Sequence, residues 1–296
     1  MLSNSNLEAF CNLRKDEVRK AIKEIYSKGE RRDRILANLL PVLAHMLDLL
    51  VKPNISDFFP VLARFDIQGV AKEITTLLQK VEEITEDTID ERIKNPSNKT
   101  EAAEATKDGR TDFLQILIDL MQEEDNKNSL GKTQIKAMLI NILVGGTDTS
   151  STTIEWIMAE LLCHPNVMEK VQNELNKVVG LNNIVEESHI LKLEYLDAVV
   201  KETLRLYPLG PLLTPRTPSN LALWEDTLYQ RIPLFFLMSA ERMVRLVLAS
   251  LLHSFKWQLL EGEKLDMSGK LRLTLRKKIP LRAIPVPRLS NTDLYE

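Results

Sequence analysis

Two clusters of residues in this 296-residue chain have the types and spacing that chemistry requires. The first is Gly145-Gly146-Thr147-Asp148-Thr149, followed by Ser150, Ser151, Thr152 and Thr153. It interrupts a long run of helical periodicity that begins near Ser129 and ends near Cys163. Each glycine costs a helix interior about 1 kcal/mol relative to alanine, so a pair needs a reason, either a local bend or the close approach of a bulky planar partner. The hydroxyls that follow are able to bond back to carbonyls one turn earlier and loosen the ladder. An acid and a hydroxyl beside a groove floored by glycine would pass protons to a bound oxygen species. An ordinary packing kink fits the same residues equally well. The second cluster is Glu202 and Arg205, whose spacing of three puts carboxylate and guanidinium on one helix face. Such pairs are usually exposed salt bridges. Here Leu204, Leu206, Tyr207 and Pro208 supply apolar bulk, which favours partial burial.

The elements that must position these residues are mainly helices. Glycine is scarce, at 10 residues, which argues against a turn-rich β fold. The spacing predicts helices over about 7–26, 33–50, 66–94, 112–120, 129–163, 165–180, 194–207 and 240–253. Pro41 is expected to kink or split the second of these. Pro165 suits a first turn, Gly180 a left-handed cap, and Pro208 a stop. Residues 52–57 read as a turn, 95–109 as a polar loop, and 210–233 as irregular. After His253, Lys256 to Leu260 and Leu271 to Leu275 alternate as short strands do. The fold class is therefore mainly α, with small C-terminal β elements.

Composition excludes several classes. Thirty-nine basic and 42 acidic residues give a net charge of −3, without the clustered basic excess of a nucleic-acid surface. The two cysteines, Cys11 and Cys163, have neither zinc-site nor disulfide-framework spacing and suit a reducing compartment. No metal-ligand set is read from the sequence. Residues 1–6 lack the apolar core of a signal peptide or anchor, and the apolar stretch 137–147 falls short of the roughly 20 residues a bilayer span needs. The reading is a soluble or peripherally bound chain, in which the sequons at Asn54 and Asn98 carry little weight.

The two clusters, joined by the helix opening His164-Pro165 and by Lys201-Glu202-Thr203-Leu204-Arg205-Leu206-Tyr207-Pro208, resemble the I, J and K helices of cytochrome P-450. Residues 52–60, 151–162, 193–202, 240–244 and 280–285 are similar to plant microsomal members, in the manner of geraniol hydroxylases and flavonoid 3'-hydroxylases. The resemblance covers nearly all the chain except Asn220 to Leu237. It implies a haem-dependent monooxygenase acting on a small lipophilic metabolite, with electrons from NADPH through a separate cytochrome P-450 reductase and an endoplasmic-reticulum location. By position, it assigns oxygen activation and proton delivery to Asp148 and Thr149, and close approach of the haem to Gly145 and Gly146. Arg216 would meet a haem propionate, and Glu202 with Arg205 would buttress the haem-side core. Asn141, Leu212 and Leu213 lie where substrate contacts are expected, core packing being the commoner role of leucine.

One expected feature is missing. In this family the iron is held by a cysteine thiolate, in a loop just before the helix near Ala240. Gln230 to Ser239 occupy that place and contain no cysteine. The Pro-Glu-Arg-Phe segment whose arginine joins Glu202 and Arg205 also has no counterpart. The expected organisation is a single incomplete domain over 1–296, without the N-terminal anchor and first elements and with an internal deletion around 218–238. An inactive fragment, from skipped exons or a misassembled gene, is the alternative reading, and a helical haem- or protein-binding module a third.

Overall fold

The computed structural model describes residues 10–27, 34–94, 113–122, 131–210, 234–262 and 264–295. Its helices are α1 (Cys11–Ser27), α2 (Arg34–Leu50), α3 (Ile55–Phe58), α4 (Val70–Lys94), α5 (Phe113–Gln122), α6 (Lys132–Cys163), α7 (Pro165–Val178), α8 (Glu187–Ile190), α9 (Glu194–Leu206) and α10 (Leu234–Ser254). The strands are β1 (Phe255–Leu259), β2 (Gly269–Leu271), β3 (Leu275–Lys277) and β4 (Ala283–Pro287). Two 3-10 turns, Pro60–Phe65 and Thr292–Tyr295, complete the set. Helices dominate and the strands are short, as the sequence led one to expect. Among the described residues no helix is long and apolar enough to cross a membrane.

The chain forms two compact units, residues 31–148 and residues 1–30 with 149–296, so that α6 contributes to both. In the first, α2 packs on α4. Leu39, Leu43, Met46 and Leu49 recur on one side of α2 and meet Leu77 and Val81 of α4. Pro41 lies inside α2 without dividing it. Burying a large aliphatic side chain is worth about 1.5–3 kcal/mol, so four of them outweigh the roughly 3 kcal/mol an interior proline costs. A second cluster joins Ile89, Leu117 and Ile135 from α4, α5 and α6. Asp66 sits in the left-handed region, at φ 40°, and its carboxylate accepts the N–H groups of Ala71 and Lys72. Those bonds hold its acid below the usual carboxylate range. They also satisfy amides that the first turn of α4 cannot.

The second unit is built around α7, α9 and α10. Val171 and Leu175 of α7 share a core with Leu196 and Val200 of α9, each pair spaced by one turn. Leu193 supplies no side-chain cap to α9. The cap comes instead from Glu174 of α7, whose carboxylate accepts Tyr195 N–H at 2.7 Å and Leu196 N–H at 3.0 Å. α1 lies against α10, and is held to α8 by Arg14, which donates to both carboxylate oxygens of Glu187 at 2.5 and 2.9 Å. β1 and β4 pair antiparallel, Phe255 opposite Pro287 and Leu259 opposite Ala283.

The run Leu271 to Leu275 is not the expected strand. Leu271 ends β2 and Leu275 begins β3, and the two face each other across a hairpin. The alternation of leucines therefore reflects cross-strand partners rather than one continuous pleat. Gly269 lets the hairpin close tightly there: an added Cβ would lie 3.0 Å from Leu275 Cδ1, and that side chain would have to shift. Likewise α10 begins at Leu234, so the backbone of residues 234–239 is helical.

Gly180, at φ 82°, closes α7 as its sequence position suggested. Its carbonyl lies 3.0 Å from Nε2 of His253, which is 1% exposed. Burial, with the nearby Arg288 charge, lowers the affinity of this imidazole for a proton, although the Gly180 carbonyl favours the charged form. The folded state therefore binds fewer protons than the unfolded one, in which histidine titrates near about 6.5. Stability is then full above that value and falls as pH drops through it, by at most about 1.4 kcal/mol per unit of pH. Urea titrations at neutral and mildly acidic pH test this against His253→Gln. The variant should lose less stability on acidification than the parent, and an equal loss would place the sensitivity elsewhere.

Candidate functional site

The residues singled out in the sequence lie on α6, and the helix is anchored at its start by charge. Lys132 contacts Glu86 at 3.0 Å and Asp90 at 2.7 Å, and Lys136 reaches Glu86 at 3.4 Å. Ile135 is fully buried against α4 and α5, and Ile140, Leu143 and Val144 pack on the α2–α4 cluster. The helix runs unbroken through the glycines. Gly145 is half-buried and Gly146 exposed, and a Cβ at Gly146 would meet nothing within 4 Å. Asp148, two residues further on, is buried. Thr149 is half-buried. Thr152 and Thr153 are buried, and Thr153 Oγ1 donates to Thr149 O at 2.8 Å, the back-bonding expected of this run. Asn141 is exposed on the same helix.

Gly146 leaves open backbone on one face of α6, while Asp148, two residues on, is buried on another. A flat group can approach Gly146 without meeting a side chain, and that side of the arrangement fits a haem. The other side does not. Cys163 is exposed at the end of α6, about 21 Å along the axis from Thr149 at roughly 1.5 Å per residue. Burial, then Glu160, pushes its thiol up. Cys11 is half-buried on α1, its thiol raised by burial and by Glu187. Metals take the thiolate, and both environments disfavour it. Arg216, Leu212 and Leu213 lie outside the described residues, as do Gln230 to Pro233.

Glu202 and Arg205 pair as the spacing requires, with two bonds of 2.7 Å. Each draws the other further into its charged form. The expected partial burial is not found: their side chains are 57% and 67% exposed. α9 turns Leu196, Val200 and Thr203 to the core, so residues 202 and 205 fall on the opposite face. The apolar neighbours do not cover them, and Leu206 is itself exposed.

The sequence reading missed a site of another kind. Trp156, 1% exposed, stacks on Tyr207 with ring centroids 3.8 Å apart and planes 8° from parallel. Its indole N–H donates to Leu275 O at 2.8 Å, and Lys277 Nζ lies 5.1 Å from its ring centroid. Tyr207 donates its hydroxyl proton to Glu160 Oε1 at 2.7 Å. Burial, followed by that carboxylate, pushes the phenol up to about 12. Glu160 in turn lies 3.2 Å from His164 Nδ1. Trp156 and Glu160 stand one turn apart on α6, which was the available signal; Tyr207 and Lys277 are distant in sequence.

Comparison with known proteins agrees with the helices that carry these residues. The family model for Cytochrome P450 matches residues 23–229. A flavonoid 3'-monooxygenase of Crocosmia x crocosmiiflora is 33% identical over 80% of this chain and 56% of its own length. A geraniol 8-hydroxylase of Swertia mussotii is 34% identical over 80% of this chain and 56% of its own. The chain thus spans little more than half the length of these relatives. A cytochrome P450 of Arabidopsis thaliana aligns with the whole chain at 29% identity, over 378 positions and 73% of its length. That alignment is longer than the chain's 296 residues, so the relative carries, inside the matched stretch, residues absent here. With the matched model running through α6 and α9, the chain belongs to the cytochrome P450 family.

Proposed function

We propose that this chain carries the oxygen-side helix of a haem monooxygenase that hydroxylates a small lipophilic plant metabolite, and that the polypeptide alone does not turn over. The observation that carries the first half is the run Gly145 to Thr149 within α6, which has open backbone at Gly146 and a buried carboxylate at Asp148. Haem, when bound by a member of this family, supplies the activation of dioxygen. Asp148 and Thr149 would hold and relay protons on that side. Gly145 and Gly146 would admit the macrocycle, and Arg216 would neutralise a propionate. Glu202 and Arg205 would serve structure rather than chemistry. The electron donor would be an NADPH-dependent cytochrome P-450 reductase, and the setting the cytosolic face of the endoplasmic reticulum.

The second half rests on the cysteines. Gln230 to Ser239 contain no cysteine, and Cys163 is exposed at the far end of α6 from the glycines. The surplus of the Arabidopsis relative within the aligned stretch supports an internal loss, which we place around 218–238 of a single domain. The test is a carbon monoxide difference spectrum of the reduced protein supplied with haem. We expect no far-red-shifted Soret band of thiolate-bound haem. Its appearance would show a cysteine on the iron and overturn the inactive reading.

A further inference from the structure

The stacked pair outside the motif helix's glycine strip has the parts of a one-electron relay. Its indole is buried and its phenol half-buried, and the rings touch face to face. The phenol already donates to a carboxylate, which can take the proton, and the carboxylate neighbours the exposed imidazole of His164. Lys277 supplies direction. Its ammonium attracts the electron-rich face of a neutral indole but repels a positive charge on it. Positive charge arising at Trp156 is therefore disfavoured in place. Tyr207 carries none, because its proton leaves with its electron.

The geometry points to Trp156 and Tyr207 as an outlet for oxidising equivalents, ending in a neutral tyrosyl radical at Tyr207 with Glu160 as proton acceptor. The step balances as follows. A one-electron oxidant of the metal-polypyridyl class takes one electron from Trp156 and is reduced by one. Tyr207 refills the indole with one electron while its O–H bond breaks and the proton passes to the Glu160 carboxylate. An ascorbate-class reductant returns the electron, and Glu160 returns the proton. The other stacked tyrosines lack this equipment: Tyr26 lies 4.3 Å from Tyr295, but Tyr295 donates to the carbonyl of Ser254, which accepts no proton.

The experiment is flash photo-oxidation of the whole chain with a ruthenium polypyridyl and an irreversible quencher, followed by optical and electron-paramagnetic-resonance detection. The parent should give a tyrosyl radical whose formation slows about twofold in heavy water. Tyr207→Phe, which keeps the stacked ring, should cut the tyrosyl signal at least fivefold and leave a tryptophanyl radical. Glu160→Gln should slow radical formation at least tenfold, with circular dichroism matching the parent. A tyrosyl signal that survives Tyr207→Phe would overturn the assignment. So would a rate indifferent both to heavy water and to Glu160→Gln, and the heavy-water arm needs no variant to fold.

Discussion

Trp156→Ala should lower the free energy of unfolding by about 3–5 kcal/mol, the range for emptying a large aromatic site in a packed interior. The ring sits in a sandwich, Tyr207 on one contact and the Lys277 ammonium on another, and its N–H is the bond from α6 to β3. Removing it opens a cavity whose walls come from α6, α9 and the β2–β3 hairpin, elements too far apart in sequence to collapse together. It also leaves the Leu275 carbonyl without that donor. Trp156→Phe separates the contributions. It keeps most of the apolar volume and loses one neutral hydrogen bond, so it should cost about 1 kcal/mol from the bond and less than half the alanine loss overall. Urea unfolding followed by far-ultraviolet circular dichroism reads both. A loss under about 1 kcal/mol for Trp156→Ala would mean that the stack contributes little to stability.

Tyr295→Phe should cost about 1–3 kcal/mol, the range for one buried donor left without its acceptor. That oxygen accepts the N–H groups of Arg288 and Leu289, both at 2.9 Å, and donates to Ser254 O. Phenylalanine fills the same space and keeps the stacking on Tyr26. It leaves the Leu289 N–H without that acceptor, a loss worth about 1–3 kcal/mol when buried, whereas the Arg288 N–H also donates to Ser254 O at 3.0 Å and keeps that partner. Leu289 is buried, so water does not replace the lost partner there. Comparison with Tyr26→Phe, which removes the hydroxyl from the other ring of the same stack, isolates the effect. Equal stability of the two variants would show that the Leu289 amide finds another acceptor.

The helical architecture was legible because its signals are local. Pro165 and Gly180 bracket α7 through their own backbone preferences, and the leucines of α2 recur at one turn. What failed depended on partners remote in sequence. Burial of Glu202 and Arg205 was inferred from adjacent apolar residues, yet the neighbours of a helical residue are one turn away, not next to it. Pro41 stayed inside a helix because α4 covers the opposite surface. Leu271 to Leu275 looked like a strand because a hairpin and a pleat can display the same alternation. Within the site, the Gly145–Thr149 motif was visible as a run of unusual residues. The Trp156–Tyr207–Lys277 group was not, since no one of its members is unusual where it stands.

The cap that Glu174 gives to α9 bears on how this unit moves. Helix ends ordinarily fray independently, since their first amides are held by local side chains or water. Here the first amides of α9 are held by α7, and the apolar faces of the same two helices are interlocked. Opening the start of α9 therefore means releasing α7 as well. The pair should exchange its amide hydrogens as one cooperative block, so that the segment bearing Glu202 and Arg205 keeps its alignment until the whole block gives way.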